Sequence, residues 1–462
     1  MAFIPPPARL DRRSLDGARS LSLCLAPRSV GAVALIEELT QIVSASEAQV
    51  RKNQRRAAGT IKLTQAVGAI IGGVLDAWGG HGAVPAWRSN QAEKFTGAPV
   101  GRRHFRQVIA AAKKHGWLYH KAGGHPPCEP SFIQLEAETK GKSSRYWPTE
   151  SLLAMAVAHG VTPDSIKEAF CFVAPTRVPR VASPLSLRPL LAEPQNRRLR
   201  RAPSELRQIA ALSDAEAIEI TADVEAQNAL AAQVKVEGCT PPRWFRVFHG
   251  TWCLHGRWYT AGSDGVYLTK NGRERAELRI GGEAVVELDV SASHLRIFRG
   301  LLGLPVEARD LYSDMPIPRE VAKAWVIETL GKGRPPTRWS AKARPEVQAR
   351  SVKAVASAVL ARHPCLADPS LVVPADLAAQ LEVPRRRLVG PYLAAVEATA
   401  VTHAMRTLRH SGVLSLPVHD SLIVPVSAEH DARRAIADGY MTACGALPVI
   451  TAKNIDASTR KV

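Results

Sequence analysis

Two aspartates interrupt stretches of sequence that are mostly apolar. Asp289 follows residues 284–288, which indicate a strand buried on both faces; Asp420 lies between the apolar runs 414–418 and 422–426, which predict a strand-turn-strand hairpin. A carboxylate in such surroundings is costly to bury unless it is paired or binds a metal. Each also has a plainer interpretation: Asp289 as the cap of a following helix, and Asp420 as part of a simple turn, although the tip lacks the Gly or Asn that short turns favour.

Two cations stand between these aspartates along the chain. Arg319 and Lys323 are four residues apart in the predicted helix 319–331, so both project from one face, and no acid lies on their stripe. Such a pair suits a triphosphate, which would relieve the mutual repulsion of the two charges. The alternative is a solvated basic helix face.

A Gly-Arg pair ending in Arg257 precedes the aspartates and the cationic pair in the chain. The order of these motifs is a more specific indication of function than any one of them. Arg257, then Asp289, then Arg319-x3-Lys323, then the hairpin with Asp420 resembles the single-subunit polymerase superfamily, which includes family A DNA polymerases and phage-type RNA polymerases. The resemblance spans roughly residues 246–450. It implies an α+β right-hand polymerase palm with short fingers, and a nucleotidyltransferase activity.

The resemblance also implies roles for individual residues. Asp289 and Asp420 match the two aspartates that hold a pair of Mg²⁺ ions about 4 Å apart, with Mn²⁺ as a possible substitute. Arg319 and Lys323 match the pair that neutralises the phosphates of the incoming nucleoside triphosphate, with Lys323 as the group that protonates the leaving pyrophosphate. Arg257 matches the arginine that touches the primer–template. DNA template and nucleoside triphosphates are the expected partners.

Several positions depart from the family pattern. Gly331 stands where the fingers helix usually has a tyrosine, and Cys253 replaces the first residue of the element that contains Arg257. His294 stands where the DNA enzymes have Glu and the RNA enzymes Gly; its bulk favours deoxynucleotides. The His-Asp-Ser sequence starting at His419, a further expected substrate contact, is closer to the RNA enzymes, so the choice between DNA and RNA synthesis stays open.

Two other classes of function fit parts of the sequence. One is a replication initiator or transcription regulator with a degenerate, non-catalytic palm, which the missing tyrosine at Gly331 favours. The other is a metal-dependent nuclease, which usually needs three or more clustered acids, whereas two are well placed here. The biological hypothesis is a small polymerase for replication or repair of bacterial or mobile-element DNA.

The overall charge points to a polyanion partner. The 462 residues carry a net charge of +19, which is typical of proteins that bind nucleic acid, although an Arg-rich proteome gives the same bias. No run of 18 or more apolar residues predicts a membrane span. Seven scattered cysteines lack zinc or disulfide spacing, so a cytoplasmic, nucleoid-associated protein without a membrane partner is expected.

Composition divides the chain into four parts. Residues 1–30 are predicted to be a disordered tail, residues 31–135 an α-rich winged-helix-like DNA-binding domain, and residues 136–205 a linker with a basic arm. Residues 206–462 are predicted to be the catalytic domain, with the fingers inserted at about 303–400.

The winged-helix prediction depends on residues 101–124. A helix with the buried stripe Phe105, Val108, Ile109 and Ala112 precedes a strand that enters a glycine-rich turn, which is the order of recognition helix and wing. The remaining face of this helix carries the expected nucleic-acid-binding residues: Arg102, Arg103, Arg106, Lys113 and Lys114. The alternative is a basic solvated helix in an ordinary helical domain.

The last elements should pack behind the palm. A helix is predicted over 393–408, followed after the hairpin by a helix from Ser427 to about Ala443 and a strand near 447–451. Glu397, in the first of these helices, is interpreted as solvated, with support of the active site as the alternative.

Overall fold

The structure is a computed structural model, and it describes residues 2–11, 14–15, 17–49, 55–95, 98–123, 143–175, 181, 183–188, 190, 215–262, 264–340 and 343–453. The chain is a mixed α/β protein that divides into two compact units. The N-terminal unit comprises Met1–Arg180, Gly238–Pro241 and Gly262–Lys270; the C-terminal unit comprises Val181–Glu237, Pro242–Ala261 and Asn271–Val462.

The N-terminal unit combines short strands with longer helices. Its strands are β1 (Arg19–Ser20), β2 (Leu25–Pro27), β3 (Ala86–Arg88), β4 (Leu118–Lys121), β5 (Ser144–Pro148) and β6 (Phe170–Phe172). Its helices are α1 (Val30–Ala48), α2 (Ala57–Leu75), α3 (Arg102–Lys114), α4 (Glu150–Ala158) and α5 (Ile166–Ala169). One sheet has the order β1-β3-β5-β4, and β2 pairs with β6.

The predicted disordered tail and linker are wrong over much of their length. β1 pairs with β3 and β2 pairs with β6, and the side chains of Leu21 and Leu23 between them are fully buried. The apolar residues of this short segment therefore belong to the core of the unit. β5, α4 and β6 likewise extend the unit well beyond residue 135, because their strands pair with β3, β4 and β2. Most of the predicted basic arm (176–180, 182, 189 and 191–205) lies outside the described residues.

Helix α2 is the core helix of this unit. It and the π-helical turn after it (Ala57–Gly80) form one helix that is long and apolar enough to cross a membrane by length and composition, and 61% of its most apolar window is buried. Its residues pack against α1, α3 and β2. The close approaches use glycine: a Cβ on Gly72 would lie 2.6 Å from the ring of Phe170.

Helix α3 shows the predicted amphipathic pattern. Phe105, Val108, Ile109 and Ala112 are buried, which confirms the predicted stripe. β4 follows α3 and pairs antiparallel with β5, so helix and hairpin are consecutive in the chain. The segment that joins the two strands, 124–142, lies outside the described residues.

The C-terminal unit has two sheets and a set of packed helices. Its strands are β7 (Leu185–Arg188), β8 (Val236–Glu237), β9 (Trp244–His249), β10 (Arg257–Thr260), β11 (Arg279–Ile280), β12 (Glu283–Val290), β13 (Leu416–Val418), β14 (Ser421–Pro425) and β15 (Ile450–Lys453). Its helices are α6 (Ala215–Gln233), α7 (Gly272–Ala276), α8 (Ser293–Leu301), α9 (Arg319–Lys332), α10 (Pro345–Gln348), α11 (Val352–Arg362), α12 (Ala375–Gln380), α13 (Arg385–His410) and α14 (Glu429–Cys444).

Strand β12 is central to the larger sheet, whose order is β13-β14-β12-β11-β8, and it also pairs with β15. Its neighbours β14 and β15 are both antiparallel to it. Val286 and Leu288 are fully buried, as expected for a strand covered on both faces. The smaller sheet has the order β10-β9-β7.

Helices α13 and α14 pack tightly against each other. A Cβ on Gly439 of α14 would lie 2.4 Å from the carbonyl oxygen of Ala400 on α13, so only glycine allows this backbone approach. Both helices also pack against α8, the helix that follows β12. The end of β12, the start of α8 and the middle of α13 are thereby held together.

Candidate active site

The two aspartates predicted from sequence lie at the same end of adjacent strands. Asp289 is the penultimate residue of β12 and is in register with Ser421 of β14. Asp420 directly precedes Ser421, in the two-residue turn between β13 and β14, where His419 adopts a positive φ of 55°. A strand separation of about 4.8 Å therefore brings residues 131 positions apart in sequence into one site.

Strained backbone flanks both carboxylates. His419 has φ 55°, and Ala292, between β12 and α8, has φ 54° and ψ 37°. A non-glycine residue in this left-handed region costs on the order of 1 kcal/mol, and such residues cluster at functional sites. Ala292 is the N-cap residue of α8 and joins β12 to this helix.

The Asp420 carboxyl group lies near two other carboxylates, those of Glu397 and Asp289. Burial, followed by the negative charges of Glu397 and Asp289, raises its pKa to about 7. It forms no ion pair with any residue that the structure describes. Because carboxylate oxygens suit Mg²⁺ and Mn²⁺, a divalent cation beside Asp420 and Asp289 would relieve this repulsion, and the residues present fit such an ion. Within the described ranges, no group of three or more His, Cys, Asp or Glu is placed as a metal site, so the candidate centre consists of two carboxylates.

The candidate site also contains a lysine next to Asp289. The Lys453 ammonium group of β15 forms an ion pair with Asp289, and it lies 3.9 Å from Glu287. The side chain is 43% exposed, so it has room to move away. Sequence analysis missed this contact because the partners are 164 residues apart; the alternation of β15, which brings Lys453 onto the Asp289 face, was the available signal.

Glu287 lies on the same strand as Asp289, and its carboxylate accepts several hydrogen bonds. It is 5% exposed, and its two carboxylate oxygens accept hydrogen bonds from Arg275 at 2.7 and 2.9 Å. Ser421 Oγ also donates to it at 3.2 Å, which ties β12 to the hairpin. Its charge is thus neutralised locally by a bidentate arginine contact.

Glu397 is a buried hub and not the solvated residue that the sequence predicted. It is 2% exposed, because α13 packs against α8 and the small sheet. Arg257 donates to Glu397 at 2.6 Å, Ser293 Oγ donates at 2.9 Å, and His294 Nε2 lies 3.2 Å away. Although burial alone would raise the pKa of Glu397, the charges of His294 and Arg257 hold it well below its usual range.

Glu397 also holds two predicted substrate contacts in place, His294 and Arg257. The side chain of His294 is 33% exposed, so part of its ring reaches the open site. The Nε of Arg257 is buried and has no hydrogen-bond partner among the described residues. His419, at the hairpin tip, also lies close by: its pKa is lowered by burial and then by the charge of Arg257.

Helix α9 carries the predicted phosphate-binding pair. Arg319 has acidic partners that do not lie on this stripe: Asp310 and Glu320 both accept hydrogen bonds from it, since the loop before α9 folds back onto the helix start. Lys323, one turn later, is half-buried and has no ion pair with a described residue. Arg319 also stacks over the ring of Tyr312 at 5.6 Å.

Tyr312 connects Arg319 to the carboxylates. Its side chain is 5% exposed, and burial, Asp310 and Asp420 all raise its pKa. The charge of Asp420 therefore acts at the tyrosine on which Arg319 stacks. Sequence analysis missed Tyr312, because a lone tyrosine in a loop has no periodicity that would single it out.

The predicted nucleic-acid-binding residues of the N-terminal unit share one property. None of them forms an ion pair with a described residue, and all are exposed: Arg102, Arg103, Arg106, Lys113 and Lys114. The three arginines and Gln107 line an open concavity of about 620 Å³. A helix face with this much unpaired positive charge is suited to phosphates.

The chain has a distant structural likeness to a DNA polymerase domain. No family model and no curated protein sequence matches the chain. Among solved structures, the POL domain of Pol1 from M. smegmatis, in complex with DNA primer-template and dNTP, matches with 15% identity and a TM-score of 0.33. The match covers 51% of this chain and 50% of that structure, so the chain spans about half its length.

Proposed function

We propose that the C-terminal unit is the palm of a template-dependent nucleic-acid polymerase, in which Asp289 and Asp420 hold two divalent cations. The observation that carries the proposal is the register of β12 with the hairpin, which brings the two aspartates together. The raised pKa of Asp420 supports it, since the negative charge lacks a partner that a cation would supply.

In this proposal, individual residues of the chain have separate roles in phosphoryl transfer. The bound cations would lower the pKa of the attacking hydroxyl and stabilise the leaving pyrophosphate. Lys323 and Arg319 neutralise the nucleotide's phosphates, and Lys323 donates the proton to the leaving group. Arg257 and His419 contact the primer–template, and His294 lies beside the sugar of the incoming nucleotide.

Glu397 acts as a positioning residue in this proposal. Its carboxylate fixes the ring of His294 and the guanidinium of Arg257 in one arrangement. A side chain that excludes a ribose 2′-hydroxyl discriminates only if it is held in place, because a mobile ring yields to the extra oxygen. The held His294 supports a preference for deoxynucleotides, and hence DNA synthesis.

Incorporation of labelled nucleotides on a primed DNA template tests the proposal. Wild type should extend the primer with Mg²⁺ or Mn²⁺, and Asp289→Ala and Asp420→Ala should each reduce extension at least about 10³-fold, as expected when a metal ligand is removed. Asp431→Ala, on the exposed surface of α14, is the matched carboxylate control and should be fully active. Extension that survives in either metal-site variant contradicts the assignment.

A second candidate function is favoured by Lys453. An ammonium group on Asp289 already supplies a positive charge where a cation would bind. The chain would then be a DNA-binding replication initiator or transcription regulator whose palm is non-catalytic. Absence of extension with both metals, together with specific DNA binding, would select this function.

We further propose that the N-terminal unit is a winged-helix-like DNA-binding module. Helix α3, the following β4–β5 hairpin and the strand order β3-β5-β4 support it. The unpaired cations of α3 would contact the DNA backbone while the module recruits the polymerase to bacterial or mobile-element DNA. Deletion of residues 1–135 would remove part of the unit's core, so the sharper test is substitution of the exposed arginines of α3.

A further inference from the structure

Four aromatic rings form a continuous row on one face of the β7-β9-β10 sheet. Phe245 and Tyr259 are directly opposite on β9 and β10, with ring centroids 6.0 Å apart and an interplanar angle of 26°. Tyr259 is followed by His255 at 6.1 Å and 23°. His255 is followed by His249 at 4.5 Å and 6°. We call these four rings the aromatic column; each is half-buried, so the column is partly open to solvent.

The opposite face of the sheet holds the column rigidly. Trp244 is fully buried and Trp258 is 5% exposed. Arg246 is buried between them, with its guanidinium 4.9 Å from the ring centroid of Phe248 and 5.5 Å from that of Trp258. Its Nε donates to the carbonyl oxygen of Gly256 at 2.8 Å, which fixes the hairpin loop. A surface that is ordered before binding loses little entropy on binding.

The charges that act on the histidine end of the column are all positive. Burial and then Arg188 lower the pKa of His249. Burial, His249, Arg257, Arg188 and His419 lower the pKa of His255 to about 4. Both rings are therefore neutral at neutral pH. Of the two arginines, Arg257 is paired with Glu397.

Arg188 supplies an available cation at this end. It is in register with His249, it is exposed, and it has no ion pair among the residues that the structure describes. His419, whose charge also acts on His255, belongs to the hairpin that carries Asp420. The histidine end of the column is therefore close enough to both Arg188 and the His419 hairpin to feel their charges.

We propose that this sheet face binds an unpaired nucleic-acid strand, with a base stacked on the His249 end of the aromatic column and a neighbouring phosphate at Arg188. The proposal deepens the proposed function and rests on it for the nature of the partner. Aromatic rings beside cationic side chains are the means by which proteins hold single strands without reading sequence. The natural occupant is the unpaired template strand next to the primer terminus.

Fluorescence anisotropy of a labelled oligothymidylate of about 12 nucleotides tests the proposal. The background is the full chain with Asp420→Ala and with Arg102, Arg103 and Arg106 replaced by Ala, so that catalysis and the basic helix do not contribute. His249→Ala should weaken binding about tenfold, whereas His249→Phe, which keeps a ring, should retain it. Arg188→Ala should weaken binding and reduce the slope of log affinity against log salt by about 0.7. Arg434→Ala, an exposed arginine on α14, should do neither.

A blunt duplex of equal length is the comparison ligand. The His249→Ala effect should be absent with the duplex, because its bases are not free to stack. Equal single-strand binding by wild-type and His249→Ala chains, or an equal loss for both ligands, overturns the proposal. The two proposals can fail separately. If the wild type extends a primer but His249→Ala binds the single strand unchanged, only the role of the aromatic column is refuted. If His249→Ala weakens binding but the wild type extends no primer, only the polymerase activity is refuted.

Discussion

Helix α3 and the carboxylate site of the C-terminal unit hold their charges in opposite ways. On α3, five cations are exposed and none pairs with a described residue. In the carboxylate site, Glu287, Glu397 and Asp289 each have a cationic partner, and Asp420 does not. Under the proposed function, the charge left without a partner in each region matches the sign of its ligand: a polyanion at α3 and a cation at Asp420.

The largest expected effect comes from removing a charge that the protein has paired. Glu397→Ala leaves the charges of Arg257 and His294 without their buried partner, so it should lower the free energy of unfolding by about 3–5 kcal/mol. Asp431→Ala breaks a surface pair with Arg434 and should cost no more than about 0.5 kcal/mol. Urea unfolding measures both. Similar losses for the two variants would mean that Glu397 is not a buried hub.

Removing the exposed cations of α3 should affect binding and leave stability unchanged. Replacing Arg102, Arg103 and Arg106 by Ala should weaken duplex DNA binding at least about tenfold. The same replacement should reduce the salt slope by about 3, at about 0.9 for each phosphate that is no longer neutralised. Arg433 and Arg434 on α14, which are paired with acids, are the control set. An unchanged salt slope would separate α3 from DNA binding.

The stability of the protein should depend on pH through the titration of Asp420. Its pKa is about 7 when folded and 3.8 for an ordinary carboxyl, so the folded state binds the extra proton and stability falls as pH rises from about 4 to 7. Asp420→Asn should therefore raise Tm at pH 8 by several degrees, since a pKa raised from 3.8 to about 7 corresponds to at most about 4 kcal/mol, and have little effect near pH 4. Thermal unfolding without metal at both pH values measures this. A Tm lowered at pH 8 would contradict the assignment.

The smallest expected effect concerns Lys453, whose ion pair with Asp289 favours the non-catalytic alternative. If the lysine competes with a metal for Asp289, Lys453→Met should lower the Mg²⁺ concentration needed for half-maximal primer extension by a factor of about two to five, as expected for an exposed ion pair. Lys332→Met removes a lysine that pairs with Glu328 on α9 and serves as the control. A higher Mg²⁺ requirement would show that Lys453 assists the metal site.

Local patterns predicted the elements of the fold well. The buried stripe of α3 and the strand before Asp289 follow from side-chain periodicity, and the structure confirms the helices that begin near Ser293 and Arg319. The 1–30 tail was predicted wrongly because its two strands are only two and three residues long, too short for a periodic signal.

Partners that lie far apart in the chain were not predictable in the same way. Glu397 occupies a helix whose periodicity shows which face is buried, but not that Arg257 and His294 meet it there. The contact of Lys453 with Asp289 depends on the register of two strands, which a single sequence does not specify when the connection is long. Single residues therefore indicated the candidate site, whereas its ion pairs became visible only in the tertiary structure.

Binding of Mn²⁺ followed by electron paramagnetic resonance tests the central claim most directly, because it reports on the metal without requiring catalysis. Wild-type protein should bind Mn²⁺ more tightly as pH rises toward 7, where Asp420 loses its proton, and both Asp289→Ala and Asp420→Ala should abolish that binding. Wild-type-like Mn²⁺ binding in either variant would contradict a metal centre shared by the two aspartates.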